Sequence, residues 1–126
     1  MKHEALTHKI IACAYKVYNT LGFGFLESVY QKAMVIEANK NHLMVEAEKP
    51  LKVYYEGVVV GDFFVDLLVE KEIIVELKSV EGLNKAHEVQ LVNYLNSLET
   101  EIGLLINFGP EGVDVKRKYR NYVRQD

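Results

Sequence analysis

The chain has 126 residues, 49% of them hydrophobic and 26% charged, the balance of a sequence that buries a core rather than one that stays disordered or fibrous. At this length about two-thirds of the unfolded surface can be buried, so a single domain over residues 1–126 needs no disulfide or structural metal, and the lone Cys13 excludes an internal disulfide framework. Fifteen Lys and Arg against eighteen Asp and Glu give a net charge of −3, which argues against a general binder of nucleic acid. The charge is unevenly spread: residues 116–126 hold five of the bases and one acid, a local +4 that leaves −7 over residues 1–115. The N-terminus lacks a secretory leader pattern and no apolar run is long enough to cross a bilayer, so a cytoplasmic protein without a membrane partner is expected.

From Glu4 to Leu21 the apolar positions Leu6, Ile10, Cys13, Val17 and Leu21 recur at three- and four-residue steps, which predicts an amphipathic helix ended by Gly22. A second helical pattern runs from about Leu26 to Asn41, with Gly22-Phe23-Gly24 as the hinge between the two. The period then shortens to that of strands through Val45–Tyr55, Val58–Val69 and Ile73–Ser79, with turns at Gly57 and at Glu70-Lys71-Glu72; the three form an antiparallel meander. Asn84 caps a helix that reaches about Glu99, and Gly103–Phe108 reads as a central strand buried on both faces. Val113–Tyr119 adds an edge strand before the basic tail. The expected fold class is α/β, with a mixed sheet flanked by helices.

Three charged residues interrupt strands that would otherwise be buried: Asp66, Glu76 and Lys78. With a turn at Glu70-Lys71-Glu72, Val69 faces Ile73, and the register carries Asp66 opposite Glu76. Alternation puts Asp66, Glu76 and Lys78 on one face and Val65, Leu67, Val69, Ile73, Val75 and Leu77 on the other. Two adjacent carboxylates repel unless a cation lies between them, and their oxygens suit a hard divalent ion, Mg²⁺ or Mn²⁺. An ammonium on the same face could orient a water and offset charge on a pentacoordinate phosphorus, the needs of metal-assisted phosphodiester hydrolysis. The same spacing also fits a plain cross-strand ion pair of Lys78 with Glu76 or Asp66 on a solvated face.

The stretch Gly24-Phe25-Leu26-Glu27-Ser28-Val29-Tyr30 reads G-x-x-E-x-x-Y. Together with Asp66, Glu76-Leu77-Lys78 and Gln90-Leu91-Val92-Asn93-Tyr94-Leu95, it resembles the GxxExxY proteins of the PD-(D/E)XK nuclease-like superfamily, over about Leu6 to Arg117. The resemblance implies an αβββαβ core, here preceded by an extra helix, and a metal-dependent nuclease of nucleic acid, with DNA ahead of RNA as its substrate. It further implies that Asp66 and Glu76 bind the metal with the Leu77 carbonyl, that Lys78 is catalytic, and that Glu27 makes a further metal or water contact. By the same kinship Gln90 orients water or phosphate, while Tyr30 and Tyr94 hold the site or meet nucleic acid. Val65 stands where the superfamily's name has proline. Taken without the resemblance, Glu27 is a charge at a helix N-terminus, Gln90 a solvated side chain, and the two tyrosines core aromatics.

Other patterns carry less. Gly22-x-Gly24-x-x-Glu27 lacks the third glycine of a dinucleotide loop and follows a helix, and Cys13 sits on an apolar stripe as a packing residue. The tail around Lys116, Arg117, Lys118, Tyr119 and Arg120 interleaves bases with aromatics, a composition that fits phosphate contact and base stacking or else a solvated edge. With no room for a separate recognition domain, specificity would come from a homodimer or a protein partner. The competing expectation is a nuclease-fold module that binds nucleic acid or acts as an adaptor without turnover.

Overall fold

The computed structural model describes residues 3–121. Three helices and five strands follow one another as α1 (Glu4–Leu21), α2 (Glu27–Lys40), β1 (Val45–Tyr55), β2 (Val58–Val69), β3 (Ile73–Lys78), α3 (Lys85–Leu98), β4 (Ile102–Gly109) and β5 (Gly112–Tyr119). The strands form one sheet in chain order, antiparallel throughout except for the parallel pair β3 and β4 that the α3 crossover joins. This is the mixed α/β architecture with two N-terminal helices that the sequence predicts.

Each face of the sheet has its own apolar cluster. On one, Ile10, Cys13 and Val17 of α1 and Tyr30 and Met34 of α2 pack on Leu67, Val75, Leu77, Leu104, Ile106 and Phe108. On the other, Leu91, Tyr94 and Leu95 of α3 cover Leu51, Leu68, Ile74 and Leu105. Because β4 is covered on both sides, it reads as an unbroken apolar run and every residue from Ile102 to Gly109 is buried. Gly103 lets α3 come close: a Cβ there would lie 2.8 Å from Leu91 Cδ1 and 3.2 Å from Leu95 Cδ2. The helix is started by Asn84, whose side chain accepts the His87 N–H at 3.1 Å while His87 Nδ1 accepts the Asn84 N–H at 3.2 Å, a reciprocal cap.

β2 is twice as long as β3, and only Leu67, Leu68 and Val69 pair with it, opposite Val75, Ile74 and Ile73. From Val58 to Val65 the strand keeps β1 as its ladder partner, so the β1–β2 hairpin leaves the sheet as a two-stranded arm. Tyr54, Tyr55, Val58, Val59, Val60, Phe63 and Phe64 on that arm are all exposed.

One expectation about this strand fails. Val65 does not join Leu67 and Val69 under α1 and α2; it packs with Leu51, Leu68 and Ile74 under α3. Strict alternation therefore breaks across Asp66. The β1 residue facing Asp66 is Glu48, at φ 52, and the ladder skips that one pair between Ala47–Leu67 and Lys49–Val65. A left-handed residue inside a strand locally redirects the backbone, and period-two counting cannot see it.

Candidate active site at the parting of two strands

Where β2 and β3 part, side chains replace main-chain carbonyls as hydrogen-bond acceptors. The Glu76 carboxylate accepts the Asp66 N–H through Oε2 at 2.7 Å, and the Asp66 carboxylate accepts the Leu77 N–H through Oδ2 at 2.7 Å. A buried strand N–H left without a partner costs about 1–3 kcal/mol, so this mutual bond holds the parting open at little loss. It also leaves the second oxygen of each carboxylate, Oδ1 of Asp66 and Oε1 of Glu76, without a hydrogen bond among the described residues. Gln31 of α2 fixes the same point from the other side, its Nε2 donating to the Asp66 carbonyl at 3.0 Å. The loop after β3 is tied down as well: Asn107 bonds the Val80 N–H and carbonyl, both at 3.0 Å, and Ser79 Oγ donates to the Phe25 carbonyl at 2.9 Å.

The electrostatics match that geometry. Burial pushes the Glu76 carboxyl up to about 8, with the neighbouring Asp66 charge adding to the rise. Asp66 is also raised, first by burial; the Leu77 N–H and Lys78 oppose the rise, and the charges of Glu27 and Glu48 add to it. Two desolvated carboxylates that hold protons this firmly form a site that a divalent cation relieves, and their donor atoms are hard oxygens suited to Mg²⁺ or Mn²⁺. The residues present fit such an ion.

Lys78 follows on the same sheet face as Glu76, and its side chain makes no ion pair or hydrogen bond among the described residues. The alternative of a plain Lys78–carboxylate ion pair is thereby set aside. Glu27 is the first residue of α2, exposed, at the positive end of the helix, and near enough for its charge to act on both carboxylates. It does not complete a ligand set, since among the described residues no group of three or more His, Cys, Asp or Glu side chains is placed to hold an ion. Glu27 acts on the pair through its charge, and its expected metal or water contact is carried forward as a proposal.

The tyrosines divide. Tyr94 borders the site: desolvation first, then the charges of Glu76 and Asp66, raise its phenol above the ordinary value, so it stays a protonated donor. Gln90, one turn earlier on α3, lines the same cavity as Tyr94 and is exposed. Tyr30 is fully buried, stacked on Phe108 at 4.3 Å, its hydroxyl donating to the Gly22 carbonyl and accepting the Phe25 N–H at 3.4 Å. It cannot meet nucleic acid; it holds the α1–α2 loop in place, and its assignment as a nucleic-acid contact is corrected accordingly.

The basic segment also divides, because it continues a strand whose side chains alternate faces. Lys118 pairs with Glu88 of α3 at 3.0 Å and lowers the Glu88 carboxyl, whereas Arg117 reaches the opposite face and donates to Thr7 Oγ1 of α1 at 3.2 Å. Arg120 lies 3.9 Å from Glu101. Lys116 stands level with Glu76 on the same face, with Leu105 between them, roughly 10 Å away across two strand spacings. The bases are thus divided between the two faces of the strand; Lys116 shares the face of Lys118 and acts with it on Glu88, separated from Glu76 by Leu105 and the helix that buries it, and Tyr122 to Arg124 lie outside the described residues.

Gln31 and Glu48 were not singled out by sequence. Gln31 had a usable signal, its four-residue spacing from Glu27, which puts both on one face of α2. Glu48 had none.

Residues 4–119 match the family model of the PD-(D/E)XK nuclease superfamily. The chain belongs to that superfamily. Members of that superfamily are nucleases that generally use divalent metals. Among solved structures the chain is similar to "Crystal structure of SSO0001", with a TM-score of 0.59 and 18% identity, covering 76% of this chain and 50% of that one. At that identity the likeness is one of fold, and this PD-(D/E)XK chain spans half the length of the solved one. No curated protein matches the sequence. Among the described residues no helix is long and apolar enough to cross a membrane.

Proposed function

We propose that the protein is a divalent-metal-dependent phosphodiesterase whose catalytic residues are Asp66, Glu76 and Lys78, and that it acts in the cytoplasm on DNA ahead of RNA. The observation that carries the reading is the mutual bonding of Asp66 and Glu76 at the end of the β2–β3 ladder, with one oxygen of each free and the Lys78 side chain unpaired among the described residues. Mg²⁺ or Mn²⁺, when bound, supplies charge neutralisation at a phosphoryl oxygen and a more acidic water. Asp66 and Glu76 would hold it through Oδ1 and Oε1, with the Leu77 carbonyl as the neighbouring main-chain donor. The Lys78 ammonium orients the attacking water and stabilises negative charge on the phosphoryl oxygens. Tyr94 donates from its protonated phenol, and Glu27 and Gln90 position water at the rim. The motif set around Glu27 and Tyr30 supports a place among the GxxExxY proteins.

The reading is tested by Mn²⁺-dependent cleavage of labelled single- and double-stranded DNA and RNA. Lys78→Ala and Asp66→Asn should lower cleavage at least a hundredfold, the order of loss seen when one transition-state donor is removed, while circular dichroism stays unchanged. Cleavage by either variant at the wild-type rate contradicts the assignment. The second reading is a nuclease-fold module that binds nucleic acid or a protein partner without turnover. Nucleic-acid binding with no cleavage in any of the four substrates would select it.

A further inference from the structure

Between the β1–β2 arm and α3 lies a cavity of about 700 Å³, lined by Phe63 of the strand that carries Asp66 and by Tyr94 of α3. That size is within the roughly 300–1,000 Å³ of small-ligand clefts. We infer that this cavity receives an unpaired nucleobase of the substrate strand, so that the preferred substrate is single-stranded or frayed at the cleavage point; the inference rests on the phosphodiesterase reading above.

The cavity has the form of a slot with apolar walls. Phe63 and Val53 of the arm stand on one side and Val89 of α3 on the other, and Phe63 meets Tyr94 at a centroid distance of 5.8 Å and a tilt of 43°. Phe63 is 41% exposed, which leaves part of its ring open to stacking. Gln90 and Asn93 add two amides that make no hydrogen bond among the described residues, and Lys85 adds a cation. A planar, heteroatom-rimmed base satisfies both kinds of surface, stacking on the ring while its edge pairs with the amides. An aliphatic chain would fill the slot but strand those amides without partners.

Tyr94 ties the slot to the chemistry. It lines the cavity, and it is also the aromatic residue that feels the charges of Glu76 and Asp66. Phe63 stands three residues before Asp66 on β2, roughly 10 Å along the strand, and its ring is 5.8 Å from that of Tyr94, a span that a nucleotide's phosphate and base can bridge. In an intact duplex that base is stacked and paired, and it enters the slot only after being extruded.

The experiment compares binding of a fluorescein-labelled 15-nucleotide single strand and the blunt duplex of the same sequence, by anisotropy in Ca²⁺, for wild type, Phe63→Ala and Phe63→Trp. The single strand should bind more tightly than the duplex. Phe63→Ala should weaken single-strand binding by roughly five- to a hundredfold while duplex binding is unchanged, and Phe63→Trp should restore it. In the wild-type protein, 2-aminopurine walked along the strand should report one position whose fluorescence responds more than its neighbours, a readout independent of how any variant folds. Equal affinity for strand and duplex, a uniform 2-aminopurine response, or indifference to Phe63→Ala overturns the inference. A Phe63→Ala effect confined to oligomeric state also overturns it, assigning the slot to an interface between copies. Metal-dependent cleavage that requires Lys78 but ignores Phe63 leaves the phosphodiesterase reading standing and removes only the base slot; absence of cleavage from every substrate removes the reading itself.

Discussion

Along β2, Leu67–Val69 and Val58–Phe64 are similarly rich in apolar side chains, yet the first stretch is buried while most of the second stands in solvent. Hydrophobicity does not separate the two; the reach of the third strand does. β3 pairs with β2 as far as Leu67–Val75, and one residue further on the carboxylates of Asp66 and Glu76 occupy the space where main-chain carbonyls would continue the ladder. The two acids of the candidate site are thus also the residues that end the pairing, part the strands and free the arm that forms one wall of the cavity. The candidate site and the sheet defect are one structural event here.

The contrast between the two stretches can be broken by truncation. Ile74, fully buried opposite Leu68, should cost about 2–5 kcal/mol on change to Ala, whereas Phe64→Ala at 62% exposure should stay within about 0.5 kcal/mol. Urea unfolding of both variants measures the difference, and comparable losses would mean that the arm is part of the cooperative core.

A second effect, nearly as large, belongs to the parting itself. In the metal-free protein Glu76 keeps its proton up to about pH 8, while the unfolded chain gives it up near 4.5. Between those values the folded state binds more protons, so stability should fall as pH rises from 5 to 8. The fall should amount to roughly 2–4 kcal/mol, because one extra bound proton is worth up to about 1.36 kcal/mol for each pH step of one. Melting in EDTA across that range should show the decline, Glu76→Gln should flatten it, and Mn²⁺ should raise the melting temperature more at pH 8 than at pH 5. A melting temperature that climbs from pH 5 to 8 in EDTA would show that the pair is not buried as described.

The smallest expected effect lies at the closed end, in the turn that sets the register. Glu70 and Lys71 sit there at φ 52 and 56, and the Glu72 N–H bonds the Val69 carbonyl at 2.9 Å. Lys71→Gly should stabilise by about 0.5–1 kcal/mol by relieving a left-handed non-glycine residue. Thermal melting detects it, and a loss of stability would place the side chain in a contact that the turn geometry does not show.

Sequence reasoning reached this site where it could count. The three-residue turn fixed Val69 opposite Ile73, and from it followed the juxtaposition of Asp66 and Glu76, because register propagates along a hairpin until something interrupts it. The same counting failed for Val65, since the interruption is a backbone conformation at Glu48 on a different strand. Tyr30 and the basic segment misled for a related reason: motif and composition place a residue in the chain but not on a face, and burial of Tyr30 and the alternation of Lys116, Arg117 and Lys118 are set by packing partners far away in sequence. Gln31 was legible in principle from its helical spacing to Glu27, whereas the arm's exposure depended on the length of β3, which no local pattern in β2 records.

The central claim is that the parted strands hold a divalent ion between Asp66 and Glu76. Anomalous scattering at the manganese edge from a crystal soaked in Mn²⁺ tests it most directly. One peak should bridge the two carboxylates and vanish in Asp66→Asn; an empty pair at saturating Mn²⁺, or a peak elsewhere that survives the substitution, would contradict the claim.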